Sequence, residues 1–153
     1  MVLANTTDKK NPIYIQSQNQ SINMETGIIT FTGNIVITHS TIEIHADKVI
    51  ITYSNKNSNS ASIIKGYGQP IKIYCFFEKN GEKIYAQSEK ICYDINNNII
   101  LLTDNAYIKK INGTIKSDCI SFLIKEKRIE AFSTNSRQQV VTTLLHPEIF
   151  KSK

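Results

Sequence analysis

Histidines and cysteines are the side chains best able to ligate a metal or pair as nucleophile and base. His39, His45 and His146 are scattered, and none pairs with a Cys or carboxylate at ligand spacing, which a zinc site requires. Cys75, Cys92 and Cys119 make an odd set with no C-x-x-C, so they form neither a disulfide framework nor a metal cluster. No G-x-S-x-G occurs, and no cysteine has an obvious base. Gly66-Tyr67-Gly68 has the look of a phosphate loop, but Pro70 and a strand follow it rather than the helix start that would hold a phosphate. Asp47 and Asp118 could act as a carboxylate pair. They recur at equivalent points of an internal repeat, which points to hydrogen bonding at turns instead. The expectation is a chain with no catalytic site, no metal and no cofactor.

The net charge of +5 would suit nucleic acid, a membrane surface or a phosphorylated glycolipid. The basic residues are spread out, however. The densest group, Lys125, Lys127 and Arg128, is broken by Glu126 and reads as a solvated turn. Tyr93 and Phe122 fall on an inward parity, so they do not form a base-stacking platform. Only Tyr107, outward beside Lys109, keeps a surface-binding reading, and no nucleic-acid partner is expected.

The elements that would position these residues are strands. The chain of 153 residues, 41% of them hydrophobic, fits one domain with a core. Ile dominates the apolar set and Ala is scarce, which favours strands over helices. Alternation is clear in Ile42-Glu43-Ile44-His45-Ala46 and in Ile71-Lys72-Ile73-Tyr74-Cys75. Glu25-Thr26-Gly27, Asn55–Ser60, Gly66–Pro70, Asn80-Gly81, Asn96-Asn97-Asn98 and Asn112-Gly113 read as turns. About a dozen or more short strands follow, with no helix beyond a turn or two. No apolar run approaches the ~18 residues of a membrane span. Residues 1–10 read as a flexible N-terminal segment, 11–146 as one β-domain and 147–153 as a loose tail. Met1–Asn5 is too short to be a signal peptide. A removed export signal and a cytoplasmic start are both consistent with it.

Residues 17–53 align with 88–124 at an offset of 71. Ser17 meets Ser88, Ile28-Ile29 meets Ile99-Ile100, Asn34 meets Asn105, Ile37 meets Ile108, Ile44 meets Ile115 and Asp47 meets Asp118. A small residue followed by a polar or acidic one opens each rung: Ser17-Gln18, Ala46-Asp47, Ser88-Glu89 and Ser117-Asp118. Stacked rungs that each bury one face describe an elongated β-stack rather than a compact globule. The apolar parity predicts an inward set of Ile22, Met24, Ile29, Phe31, Ile35, Ile37, Ile42, Ile44, Val49 and Ile51. The second copy adds Ile91, Tyr93, Ile95, Ile100, Leu102, Ile108, Ile115, Ile120, Phe122 and Ile124. Cys92, Cys119 and His45 fall on the outward parity.

Ile29–Thr38 (ITFTGNIVIT), then Thr41–Val49 (TIEIHADKV), Gly66–Pro70, Leu102–Tyr107 (LTDNAY), Ile115–Asp118 and Ala131–Ser133 closely resemble the OstA-like, or LptA, family of periplasmic lipopolysaccharide-transport proteins. The likeness runs from about Asn11 to Leu145. Asp104 departs from it, standing where the family usually has Gly. The resemblance implies an all-β fold: an open, twisted β-jellyroll, solenoid-like, of about sixteen antiparallel strands. It implies a periplasmic carrier, not an enzyme. It also implies partners: lipopolysaccharide through its lipid A, an LptC-like inner-membrane protein, an LptD-like outer-membrane protein, and head-to-tail copies of the chain itself.

On that resemblance, the acyl chains are expected in a groove lined by Ile13, Ile15, Ile22, Met24, Phe31, Ile37, Ile44, Ile51, Ile73, Tyr93, Ile95, Leu102, Ile108, Ile115, Phe122 and Ile124. Edge strands are expected at the joints, since unpaired edges invite strand addition. The N-terminal edge comprises Pro12, Ile13, Tyr14 and Ile15. The C-terminal edge comprises Val140, Val141, Thr142, Thr143 and Leu144. Two alternatives stay open: an LptC-like or LptD N-terminal-like adaptor, and a polysaccharide-binding β-solenoid. The latter would show outward acidic and aromatic clusters along one sheet, which the sequence does not display.

Overall fold

The computed structural model describes residues 11–53, 63–77, 81–133 and 140–146. They form ten strands and no helix: β1 (Ile13–Gln16), β2 (Asn19–Ile22), β3 (Ile29–His39), β4 (Ile42–Thr52), β5 (Ile63–Phe77), β6 (Glu82–Asp94), β7 (Ile99–Lys110), β8 (Gly113–Leu123), β9 (Arg128–Phe132) and β10 (Thr142–Leu145). The sheet order is β1-β3-β4-β5-β6-β7-β8-β10, with β2 added to β3 and β9 to β8. Every pairing is antiparallel. Residues 1–10, 54–62, 78–80, 134–139 and 147–153 lie outside the described residues, with the two terminal segments, the Asn55–Ser60 turn and Asn80 of the Asn80-Gly81 turn expected there.

The long strands β3 to β8 share one row of register breaks. It passes Thr32/Ile35, His45/Lys48, Tyr67/Ile71, Gln87/Lys90 and Thr103/Ala106. The row divides the sheet into two arms. The short strands respect the division: β1 pairs with Val36–His39 and β2 with Ile29–Thr32, while β10 pairs with Gly113–Lys116 and β9 with Cys119–Leu123. The resemblance implied about sixteen strands, whereas the described residues form ten. Because the backbone runs unbroken through each bend, ten strands are continuous.

The bends are written in the sequence by two devices. β3 turns on Gly33 (φ 88°) and Asn34 (φ 45°), and β7 turns on Asp104 (φ 68°) and Asn105 (φ 56°). These pairs stand 71 residues apart, and Gly, Asn and Asp are the residues that tolerate a left-handed backbone. In β4, β6 and β8 an inserted residue flips the inward parity, as a β-bulge does. Ala46 gives way to Val49, Ser88 to Ile91 and Ser117 to Ile120, all buried. Serines bond at these corners. Ser17 Oγ donates to the Asn19 carbonyl at 3.0 Å, and Ser88 Oγ donates to the Lys90 carbonyl at 2.7 Å. Ser117 Oγ donates to the Phe132 carbonyl at 2.8 Å. The expectation gave this role to Asp47 and Asp118; of the residues preceding them, Ser117 makes such a bond, and Ala46 has no side-chain donor.

Apolar residues line up across the paired strands of each arm, from β1 to β8 in one and from β2 to β9 in the other. In one arm the row is Ile15, Ile37, Ile44, Ile73, Ala86, Ile108 and Ile115. In the other it is Ile22, Ile29, Ile51, Ile64, Tyr93, Ile100, Phe122 and Ile129. The inner faces of the two arms meet in one hydrophobic cluster.

Candidate functional site

The interior between the arms is the place where the chain concentrates its apolar surface. Phe31, Ile37, Ile44, Ile51, Ile73, Tyr93, Ile95, Leu102, Ile108 and Phe122 are buried in it. Ile13, Ile15, Ile115 and Ile124 are partly buried and rest against the same cluster. The structure therefore brings fourteen of the sixteen expected groove residues onto one continuous inner face.

Two expected members stand elsewhere. Ile22 is 50% exposed and Met24 is 89% exposed. Ile22 ends β2, an edge strand with a neighbour on one side only. Met24 follows in a turn closed by its neighbour: Asn23 Oδ1 accepts from the Glu25 and Thr26 amides at 2.9 and 3.0 Å. That turn ends strand pairing at Ile22 and Ile29 and leaves Met24 in solvent.

The mouth of the interior lies opposite the row of bends, where the strand tips of the two arms approach. His39 and Ile42 come from one arm, and Tyr93, Asn98, Phe122 and Ile124 from the other. Here His39 Nδ1 and the Tyr93 hydroxyl are 3.0 Å apart and buried, with ring centroids 6.0 Å apart. The cavity they border is about 20 Å³, enough for roughly one water molecule. The inner face is thus filled by its own side chains. Burial also pushes the Cys75 thiol, beside the mouth, up to about 12, so it stays protonated. Sequence parity reached Tyr93 but passed over His39, which shares the inward alternation of Ile35 and Ile37 in β3. Cys119, on the outward parity, is nonetheless buried at 5% exposure, between Thr103 of β7 and Phe132 of β9.

Among the described residues, neither β1 nor β10 pairs on its outer side. Tyr14 is 66% exposed on β1, and Leu144 and Leu145 are 56% and 58% exposed on β10. Pro12 flanks β1, and Val140 and Val141 precede β10 rather than belonging to it; all three are exposed. Thr142 and Thr143 pair with Lys116 and Ile115 on their inner side.

A second concentration of side chains lies on the outer face. Tyr74 and Tyr85 are direct cross-strand partners with ring centroids 5.3 Å apart, and His45 meets Tyr74 edge-on at 5.7 Å. Sequence reading found no outward aromatic cluster, because Tyr74 and Tyr85 are separated by a hairpin whose register decides whether they face each other. Among the described residues, no group of His, Cys, Asp and Glu could hold a metal ion.

Comparison with known proteins agrees with this architecture. The family model described as LptA/(LptD N-terminal domain) LPS transport protein matches residues 14–128. The lipopolysaccharide export system protein LptA of Escherichia coli K12 is 36% identical over 148 residues, covering 97% of this chain and 78% of that protein. LptA of Haemophilus influenzae is 32% identical, covering 100% and 91%. Among solved structures, LptH of Pseudomonas aeruginosa, the LptA-homologous periplasmic component of its lipopolysaccharide transport device, superposes with a TM-score of 0.82 at 16% identity, over 93% of this chain and 100% of that one. An open, helix-free antiparallel sheet, a family match over most of its length and two relatives above 30% identity together place this chain in the LptA/LptD N-terminal domain family of lipopolysaccharide transport proteins.

Proposed function

We propose that this chain is a periplasmic carrier of lipopolysaccharide, working by shielding acyl chains between its two arms. The observation that carries the reading is the pair of apolar rows that cross the sheet, one from β1 to β8 and the other from β2 to β9. Each CH₂ kept from water is worth about 0.8 kcal/mol, so ten of them account for roughly 8 kcal/mol. A continuous apolar face lowers that cost along a whole path.

Because the interior is filled, acyl chains enter only if the arms part. No strand pairs one arm with the other across the mouth in the described residues. Opening about the row of bends therefore breaks side-chain contacts but no ladder of backbone hydrogen bonds. Incoming hydrocarbon then replaces the contacts that the facing arm made, an exchange of apolar surface for apolar surface. The lining we assign is the buried inner face, from Ile15 and Ile37 through Tyr93 and Phe122 to Ile124. Sugars and phosphates stay in water outside the mouth. β1 with Tyr14 faces an LptC-like partner, and β10 with Leu144 faces an LptD-like partner or another copy, each joint made by strand addition.

The test is photo-crosslinking in cells. A photoreactive residue at Phe122 or Ile95 is expected to yield a lipopolysaccharide adduct, and one at the outward Lys65 is not. Absence of adduct from every inner-face position, in protein that folds and reaches the periplasm, overturns the proposal.

A further inference from the structure

The hairpin tips of the β1/β10 arm border an open cleft whose outer-face side chains the carrier role does not use. Three neighbouring strand tips line about 1370 Å³ of open space there: Thr38 with Ser40–Glu43, Tyr74–Phe76 with Gly81–Tyr85, and Tyr107 with Lys109–Asn112, including the buried Ile42, Cys75 and Ile84 of the inner face. Aromatic and basic residues alternate across its strands. Phe76 pairs with Lys83, Tyr85 with Lys109 and Tyr107 with Lys116. Phe76 is 39% exposed, Tyr74 44% and Ile111 70%.

Charge is unbalanced in the cleft. Lys110 is neutralised by Glu82 at 3.3 Å, and Glu43 is engaged by His45 at 2.7 Å. Lys83 and Lys109 form no ion pair with any described residue. The phenols are ordered rather than loose: Tyr85 donates to Gln87 Oε1 at 2.7 Å. Desolvation, with Tyr74 and Tyr107 close by, also raises the Tyr85 phenol above its ordinary value.

We propose that this cleft binds an anionic saccharide, with sugar rings on the faces of Tyr74 and Tyr85 and a phosphate or carboxylate held by Lys83 and Lys109. Pyranose rings present C–H faces that match the negative face of an aromatic ring. Lysine ammonium groups supply charge-assisted hydrogen bonds to the anion. A preformed concavity with aromatic walls and a few polar groups is the usual form of a small-ligand site. The ligand could be the saccharide portion of a glycolipid or a free phosphorylated oligosaccharide. Tyr74, Tyr85, Lys83 and Lys109 are not among the inner-face residues assigned to acyl chains, so variants at these positions test this site apart from the carrier reading.

The experiment is a heteronuclear NMR titration of the whole chain with a deacylated phosphorylated oligosaccharide. Parallel titrations use the same sugar after phosphatase treatment and a neutral maltooligosaccharide. Amides of Tyr74, Tyr85 and Tyr107 are expected to shift with the phosphorylated sugar. Affinity is expected to fall about tenfold, or 1.4 kcal/mol, in Lys83→Gln and in Lys109→Gln, and similarly on phosphate removal. Adding the acylated glycolipid is expected to shift the same amides, with interior resonances moving as well. Three results overturn the proposal: no cleft shift up to about 10 mM sugar, beyond the millimolar range of weak binding; equal shifts with neutral sugar; or cleft shifts that follow protein concentration alone, which would make the face a contact between copies. Because the lysines are exposed, both variants should fold, and matching amide spectra elsewhere check this.

Discussion

The Tyr93 hydroxyl of β6 lies 3.0 Å from His39 Nδ1 of β3, the two residues belonging to opposite arms and buried at 1% and 2% exposure. Their contact closes the mouth that acyl chains would use. Tyr93→Phe keeps the ring and removes this bond. It should destabilise the chain by about 1–2 kcal/mol, the usual cost of a lost buried bond. Tyr93→Ala should cost about 3–5 kcal/mol through the cavity it leaves. Urea denaturation measures both. Equal losses for the two variants would mean that the hydroxyl, rather than ring packing, holds the arms together.

The bends should be sensitive to backbone preference. Asp104 has φ 68°, where a β-branched side chain is poorly tolerated. Asp104→Val should cost about 1–2 kcal/mol, whereas Asp104→Gly should stay within about 0.5 kcal/mol because its Lys90 ion pair, at 3.5 Å, is exposed. Thermal melts of the two variants distinguish a strained corner from a surface charge effect.

Gly66 makes a different demand. A Cβ added there would stand 2.8 Å from Ile91 Cγ2 in the next strand, inside the core. Gly66→Ala should therefore destabilise by about 1–3 kcal/mol through overpacking. In the companion Gly66→Ala/Ile91→Ala, which removes the colliding Cγ2 methyl, the two losses should be less than additive; full additivity would place the cost in the backbone instead.

The Cys75 thiol titrates at about 12, against an ordinary 9.0, because burial disfavours the thiolate. Below pH 9 both folded and unfolded chains hold the proton, and this stabilisation is fully present. Between about pH 9 and 12 only the unfolded chain releases it, so stability falls by up to about 1.4 kcal/mol per pH unit. Cys75→Ala should flatten this part of the pH–stability curve. In the native chain at pH 8, iodoacetamide should label the half-buried Cys92 well before Cys75.

Head-to-tail association should depend on the exposed apolar residues of β10. Leu144→Glu leaves the β10 pairing to β8 available, yet puts charge on the joint. On the carrier reading it should shift the chain toward monomer in light scattering at concentrations where the parent associates. Unchanged association would assign the joint to a different edge.

Much of the architecture was legible from alternation, turn residues and the repeat. Phe31 and Leu102, Ile37 and Ile108, and Val49 and Ile120 could be assigned inward because each pair keeps its parity at an offset of 71, and all six are buried. The rung-opening pairs Ala46-Asp47, Ser88-Glu89 and Ser117-Asp118 mark the row of bends. Where alternation stops, so did the reading. Met24 matched an inward repeat position, but a local turn built by Asn23 takes it out of the sheet.

The order of apolar and polar residues along the chain by itself determined most of the strands and the face that most of their residues present, since a slip of one residue would expose every isoleucine. Tertiary structure alone decided what that face encloses. Whether His39 meets Tyr93, whether the arms leave a channel or fill it, and whether Tyr74 faces Tyr85 all depend on the angle between arms and on hairpin pairing. These are contacts between residues far apart in the chain, and no periodicity records the distance across a bend.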